Sequence, residues 1–203
     1  METYTPPNRY NCLRLRNGKI LRNRIVVPPM ASQTADQSGF VTGQTLDHYL
    51  NLSQSRAALL IAEYTFVHES GRSESNQLGI SSDDHIAGLS DLAAVIKAQG
   101  ALAGIQITHS GSKSERGLTD GRLMGPSAVP VPVKGREMSV PDEMADSDIE
   151  LWRTSFVDAS DRAVKAGFDL IEFHAAHGYG LNQWLSPLTN ERQDRYGKDA
   201  AGR

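Results

Sequence analysis

Asp169-Leu-Ile-Glu-Phe-His174-Ala-Ala-His177-Gly-Tyr179 is a short apolar run that gives way to two imidazoles and a phenol. It follows Gly167, and its first half reads as a buried strand entered from a helix stop. The segment before it supplies that helix. Ser147-Asp-Ile-Glu150 matches a capping box, and Ile149, Trp152, Phe156, Ala159, Ala163 and Ala166 recur at three- and four-residue steps. The pattern repeats further upstream. Ala103-Gly-Ile-Gln106-Ile-Thr-His109 reads as a strand, preceded by a helix that starts near Asp83 and Asp84, carries Ile86, Leu89, Ala93 and Ile96 on one face, and stops at Gly100. Before that come the apolar run Ala58 to Val67 and a helical spacing of Leu46, Tyr49, Leu50 and Ser53. Another apolar run, Arg24 to Met30, is closed by two prolines.

Apolar strands near 24–30, 58–67, 103–109 and 169–175, separated by amphipathic helices, imply a parallel sheet under helical cover. An open doubly wound sheet and a (β/α)8 barrel both satisfy that order. No Gly-x-Gly-x-x-Gly follows the first strand, which weighs against a dinucleotide fold. The chain opens with Asn17-Gly18 between alternating residues, over about 11–22, which reads as a β-hairpin with a type I′ turn able to plug the bottom of a barrel. The expectation is therefore an α/β chain forming the N-terminal half of a (β/α)8 TIM barrel, with about four βα units as one partial domain over 1–203. Eight units need roughly 250 residues. The remaining units are expected to be absent or on another polypeptide, and the outer strands would be exposed edges.

Bulk properties exclude several classes. The 203 residues carry 39% hydrophobic and 22% charged side chains with a net charge of −3. No basic block suggests nucleic acid or an acidic membrane surface, and no apolar run approaches a membrane span. Met1 to Pro7 has neither the basic nor the apolar region of a signal peptide. Cys12 is the one cysteine, so the chain cannot form an internal disulfide or a cysteine metal cluster, and a cytoplasmic setting is expected. The long segment from Gly111 to Met144, rich in Gly, Pro and Ser, reads as a functional or disordered loop.

Barrel chemistry collects at the C-terminal ends of strands. Those ends here hold Pro28-Pro29-Met30-Ala31, then Glu63-Tyr64, then Gln106 with His109, then His174, His177 and Tyr179. Imidazoles and a phenol at one rim can donate to a developing oxyanion and deliver a proton. Each also has a structural reading. A histidine pair is more often bonded to backbone than to a ligand, Gln106 could satisfy nearby backbone, Met30 could be core, and Glu63 could fix its neighbours. The arginines and aspartate of Arg192-Gln-Asp194-Arg-Tyr196 could brace a loop.

With these motifs in view, the chain resembles the Old Yellow Enzyme family of FMN-dependent NAD(P)H oxidoreductases. His174-Ala-Ala-His177-Gly-Tyr179 and Leu185-Ser-Pro-Leu-Thr-Asn190, with Arg192, Asp194, Tyr196 and Gly197, carry the resemblance most specifically. Asn23-Arg-Ile-Val26 with Pro29-Met30, and Gly104-Ile-Gln106-Ile-Thr-His109, carry it less specifically. The resemblance implies that Pro28, Pro29, Met30, Ala31, Tyr64 and Gln106 contact FMN, with Gln106 bonding its pyrimidine edge, while His109 is a further flavin or supporting contact. It implies that His174 and His177 bind the activating oxygen of an electron-poor alkene, that Tyr179 protonates it, and that Gln33 faces the substrate. NAD(P)H would be the transient reductant, and no metal would be needed.

Ala31 departs from a family position commonly held by Cys or Thr, Gln33 from an occasional tyrosine, and Tyr64 from a small residue; these bear on substrate range. Groups that hold the FMN phosphate belong to later strands, so this chain alone is expected to bind FMN weakly. The competing expectation is a catalytically incompetent half-barrel remnant that needs self-association or a partner half. A metal-dependent barrel hydrolase is the third, weakened because no further His or Asp completes a ligand set beside His174 and His177.

Overall fold

The computed structural model describes residues 8–119, 121–135 and 137–203. Met1 to Pro7, read above as lacking a secretory leader, lies outside them. In chain order the elements are β1 (Leu13–Arg14), β2 (Ile20–Leu21), β3 (Val26–Val27), α1 (Gly43–Ser53), β4 (Leu59–Phe66), α2 (Ile86–Lys97), β5 (Leu102–Thr108), β6 (Met124–Gly125), β7 (Asp142–Glu143), α3 (Asp146–Lys165), β8 (Leu170–Phe173) and α4 (Gly180–Leu185).

The main sheet runs β3-β4-β5-β8, every pair parallel. Strands that neighbour in space in the order they occur in sequence are the mark of a singly wound sheet. The helices confirm it. Tyr49 of α1, Leu89, Leu92 and Ile96 of α2, and Phe156, Ala159 and Ala163 of α3 share one core with Leu60, Ala62, Ala103, Ile105 and Ile107. The alternate strand residues Leu59, Ile61, Leu102 and Leu170 face the other way, where they pack against Leu15 and Leu21. All helical cover thus lies on one face, and a doubly wound sheet would place helices on both. The second face is a barrel interior whose floor is the hairpin.

The hairpin's turn differs from expectation. Gly18 N–H donates to Leu15 O at 3.0 Å, Leu15 N–H donates to Lys19 O at 2.8 Å, and φ is positive at Gly18 (+84°) but not at Asn17. A type I′ turn needs positive φ at both central residues. The observed geometry is a three-residue loop with its glycine in the left-handed position. Asn17 instead accepts from Lys19 N–H through Oδ1.

Four other differences have local causes. The strand expected over 24–30 shrinks to Val26–Val27, because Pro28 and Pro29 have no N–H to continue the ladder. Asp83 and Asp84 form a 3-10 turn, Asp83–His85, and the α-helix proper starts at Ile86. The third helix begins at Asp146 rather than at the Ser147 box, because Ala145 is the N-cap and its N–H donates to the Asp148 carboxylate at 2.9 Å. The long loop from 111 to 144 is partly ordered by a short parallel pair, β6 with β7. Among the described residues, no helix is long and apolar enough to cross a membrane.

Candidate active site

Strand alternation sends Gln106 of β5 and Glu172 of β8 to the barrel interior, where they are register partners. Their side chains join, Gln106 Nε2 donating to Glu172 Oε1 at 2.6 Å. Next to them, β4 breaks register between Ala62 and Thr65. This irregularity places Glu63 and Tyr64 at the rim, the usual effect of a bulge beside a site. Glu63 is buried and accepts from both the backbone N–H and the hydroxyl of Ser32. Burial raises its pKa, against the lowering effect of the Ser32 bonds. It therefore fixes the loop after β3.

The residues after β8 turn sharply. His177 at φ +57° and Gly178 at φ +69° are both left-handed. A side chain on Gly178 would meet Val131 Cγ1 at 2.8 Å, so glycine is required there. The left-handed histidine is uncommon and costs about 1 kcal/mol. This corner stacks three rings. His174 lies 4.9 Å from Tyr179 and 5.1 Å from His177 between centroids, both edge to face. Tyr64 stacks parallel to Tyr179, centroids 5.9 Å apart.

Hydrogen bonds assign the imidazole protons. Ala176 N–H donates to His174 Nδ1 at 3.2 Å, so a neutral His174 carries its proton on Nε2. That Nε2 lies 3.3 Å from His177 Nδ1, which leaves the His177 proton on its own Nε2. Burial, then the neighbouring His177, lowers the His174 pKa and keeps the ring neutral. Tyr179 is pushed up by burial, and further by Glu74, although the Ser73 hydroxyl opposes this. Burial likewise raises Tyr64. Lys113 braces the corner, donating to His177 O at 2.9 Å with its ammonium 4.8 Å from the Tyr179 ring centre.

His174, His177, Tyr179, Tyr64, Gln106 and Glu172 line one open cleft of about 560 Å³. Of the residues expected to contact cofactor or substrate, Pro28, Pro29, Ala31, Tyr64, Gln106, His174, His177 and Tyr179 line it. Met30 and Gln33 do not. Met30 is 55% exposed, and the Gln33 side chain donates to Glu74. His109 falls on the supporting side of its two expected roles. It is buried between Gly71 and Trp152, accepts from Gly111 N–H at Nδ1 and bonds Ser70 Oγ through Nε2. It braces the loops behind the rim. Arg192 likewise ties Asp194, Glu143, Pro126 and Met144 together.

Glu172, Glu74, Ser73 and Lys113 were missed in the sequence. For Glu172 a signal existed, since strand alternation puts it on the face of His174. For the loop residues Ser73 and Glu74 none did.

The cleft suits a flat heteroaromatic ring. Pro28, Pro29 and Ala31 present a low apolar wall, and the Gln106 carboxamide offers an oxygen that takes no hydrogen bond from a described residue. It does not provide for a phosphate, because no lysine or arginine is among the described residues lining it.

A parallel barrel sheet with its polar side chains at the C-terminal rim defines the general class, a barrel enzyme. The particular family follows from comparison. The profile of the NADH:flavin oxidoreductase / NADH oxidase family matches residues 10–203, and the chain belongs to that family, one of FMN-dependent oxidoreductases. An NADPH dehydrogenase of Geobacillus sp. (strain WCH70) is 44% identical over 181 residues, covering 89% of this chain and 52% of that protein. An NADPH dehydrogenase of Bacillus subtilis (strain 168) is 38% identical over 178 residues, 87% of this chain and 51% of that protein. The chain thus spans about half the length of the curated relatives it matches. Among solved structures, the old yellow enzyme homologue from Zymomonas mobilis superposes with a TM-score of 0.89 at 24% identity, covering 97% of this chain and 56% of that one. Morphinone reductase in complex with tetrahydroNAD gives 0.86 at 25% identity, covering 97% and 57%. The fold is the N-terminal half of a (β/α)8 barrel.

Proposed function

We propose that this chain carries the substrate-binding and proton-donating half of an FMN-dependent NAD(P)H oxidoreductase that reduces the C=C bond of α,β-unsaturated carbonyl compounds. The observation that supports this best is the convergence of His174, His177 and Tyr179 on the cleft that Gln106 also lines. Pro28, Pro29, Ala31, Tyr64 and Gln106 would hold the isoalloxazine ring, which when bound supplies the hydride chemistry.

The chain's own residues have separable tasks. His177 Nε2–H donates to the substrate carbonyl oxygen, where negative charge grows in the transition state. His174 reaches the same oxygen only by giving up its 3.3 Å contact with His177, a long bond that a better acceptor can displace. In the geometry here it serves mainly to orient its partner. Tyr179 protonates the α-carbon. The phenol is protonated at neutral pH, as an ordinary tyrosine is, and burial pushes its pKa further up.

The main sheet has two outer strands, β3 and β8, each paired on one side only among the described residues. Further strands complete the barrel in this proposal, from more of the same chain, a second copy or a partner, and they bring the phosphate-holding groups. The setting proposed is cytoplasmic, in keeping with a lone free cysteine. A catalytically incompetent remnant is the alternative.

The test is titration with FMN, followed by flavin absorbance and fluorescence. Weak saturable binding that weakens further in Gln106→Ala is expected. A chain whose flavin spectra ignore both the protein and the substitution would leave the remnant reading in place.

A further inference from the structure

Glu74 stands in the cleft for no reason that the proposed reaction requires. It sits on the loop after β4, two residues past Arg72, whose buried guanidinium holds that loop by donating to Gln37 O and Ser75 O at 2.8 Å each. Gln33 reaches across from the loop after β3 and donates to the Glu74 carboxylate. Gln33 does so from a left-handed backbone at φ +53°, a conformation that a non-glycine residue seldom adopts. Both loops therefore fix one carboxylate at the mouth, beside the stacked phenols of Tyr64 and Tyr179.

The charge around it is one-sided. Glu172 is the other carboxylate lining the cleft, and no lysine or arginine is among the described lining residues, whose basic groups are the imidazoles of His174 and His177. Lys113 approaches Tyr179 but lines a separate, smaller pocket behind His177. Glu74 also acts on Tyr179 through space, adding to the upward shift that burial causes. A charge that reaches the proton donor also reaches a substrate held against it, because the wall is low in dielectric and part of the cleft is shielded from solvent.

We propose that Glu74, held by Gln33, is a specificity-determining residue of the substrate cleft, selecting electron-poor alkenes that carry a positive charge and rejecting those that carry a carboxylate. This rests on the reading of the cleft as an alkene site. Selection here works as much by repulsion as by attraction, since a carboxylate forced beside Glu74 loses hydration and gains no partner.

The test uses binding to the purified chain, with three trans-cinnamaldehydes that differ at the para position: methyl, trimethylammonio and carboxylate. Dissociation constants come from NMR shifts of the Tyr179 and His177 ring signals. The expected order is ammonium tightest and carboxylate weakest. Glu74→Gln should shrink the ammonium-to-carboxylate ratio about tenfold, and Glu74→Lys should invert it. Gln33→Ala, which frees the carboxylate without removing it, should give an intermediate ratio. If the methyl compound binds but the charged pair shows the same ratio in all four proteins, the specificity role is overturned and the alkene site stands. If no compound moves the Tyr179 or His177 signals, both fall together.

Discussion

At the scale of single residues, the site divides into groups that touch the reacting atoms and groups that hold them. In the proposed reaction Tyr179 is in the first set. In enzyme completed to a full barrel and loaded with FMN, Tyr179→Phe should slow alkene reduction by about 10²–10⁴, the usual worth of a positioned acid. Flavin reduction by NAD(P)H should change less than threefold, because that half-reaction needs no proton from the phenol. Stopped-flow traces of each half-reaction separate the two, and equal losses in both would remove Tyr179 from the role of donor. Gln106 can be picked out in the sequence because period-two alternation along an apolar strand gives it a face, and His174 because it directly follows an apolar strand, whereas His177 and Tyr179 lie beyond that strand and are marked by the family resemblance. Glu74 cannot be picked out. It lies in an irregular loop, and its place beside Tyr179 depends on Gln33, forty-one residues earlier. Of the two roles open to His109 in the sequence, its surroundings select the supporting one. That histidine sits at a strand end like His174, yet a burial-driven contact with Trp152 takes its ring out of the cleft.

Between elements, the joints of the sheet are set by a few buried polar contacts. Asp169 at the entry to β8 accepts from Ala103 N–H of β5 at 2.9 Å and pairs with Lys19 of the hairpin at 2.5 Å and Lys97 of α2 at 3.3 Å. Burial works against its ionised form, but the Lys19, Ala103 and Lys97 contacts outweigh it and hold the carboxyl below its ordinary pKa. One side chain thus locks hairpin, helix and two strands. Asp169→Ala should cost about 2 kcal/mol, since it leaves the buried Ala103 N–H without its acceptor. Urea denaturation measures this, and a cost under 0.5 kcal/mol, the ordinary range for surface changes, would show that the lysines contribute the joint by other means. The helices themselves were readable, since three- and four-residue apolar spacing is a strong signal. The bulge in β4, the length of β3 and the turn type at Gly18 were not. Each is decided by one residue's backbone angles or by a missing N–H, to which an apolar pattern is blind. The short helix Gly180–Leu185 was hidden in the same way, its six residues being too few to show a period.

For the molecule as a whole, the pH response should follow from histidines that folding keeps neutral. Burial, and then His68, holds His109 far below its usual pKa, and burial with His177 lowers His174. Unfolded, both bind protons near pH ~6.5. The unfolded chain therefore takes up protons that the folded chain refuses. The stability they contribute is complete above about pH 6.5 and is lost as pH falls towards the lowered folded values. Glu63 works the other way, because its raised pKa favours the fold at lower pH. His109, fully buried and held well below its ordinary pKa, sets the sign of the slope. The urea midpoint should fall between pH 7.5 and 5, and His109→Phe should flatten that slope whatever it does to the midpoint itself. A wild-type midpoint that is level across the range would refute the assignment of neutral, buried rings.

The hairpin floor reaches beyond stability. Leu15 and Leu21 pack beneath Leu59, Ile61, Leu102 and Leu170 at the lower end of the sheet's concave side. In the proposed enzyme, once further strands close the barrel, reductant, alkene and product would all pass through the opposite mouth, and the two half-reactions would take turns at one doorway.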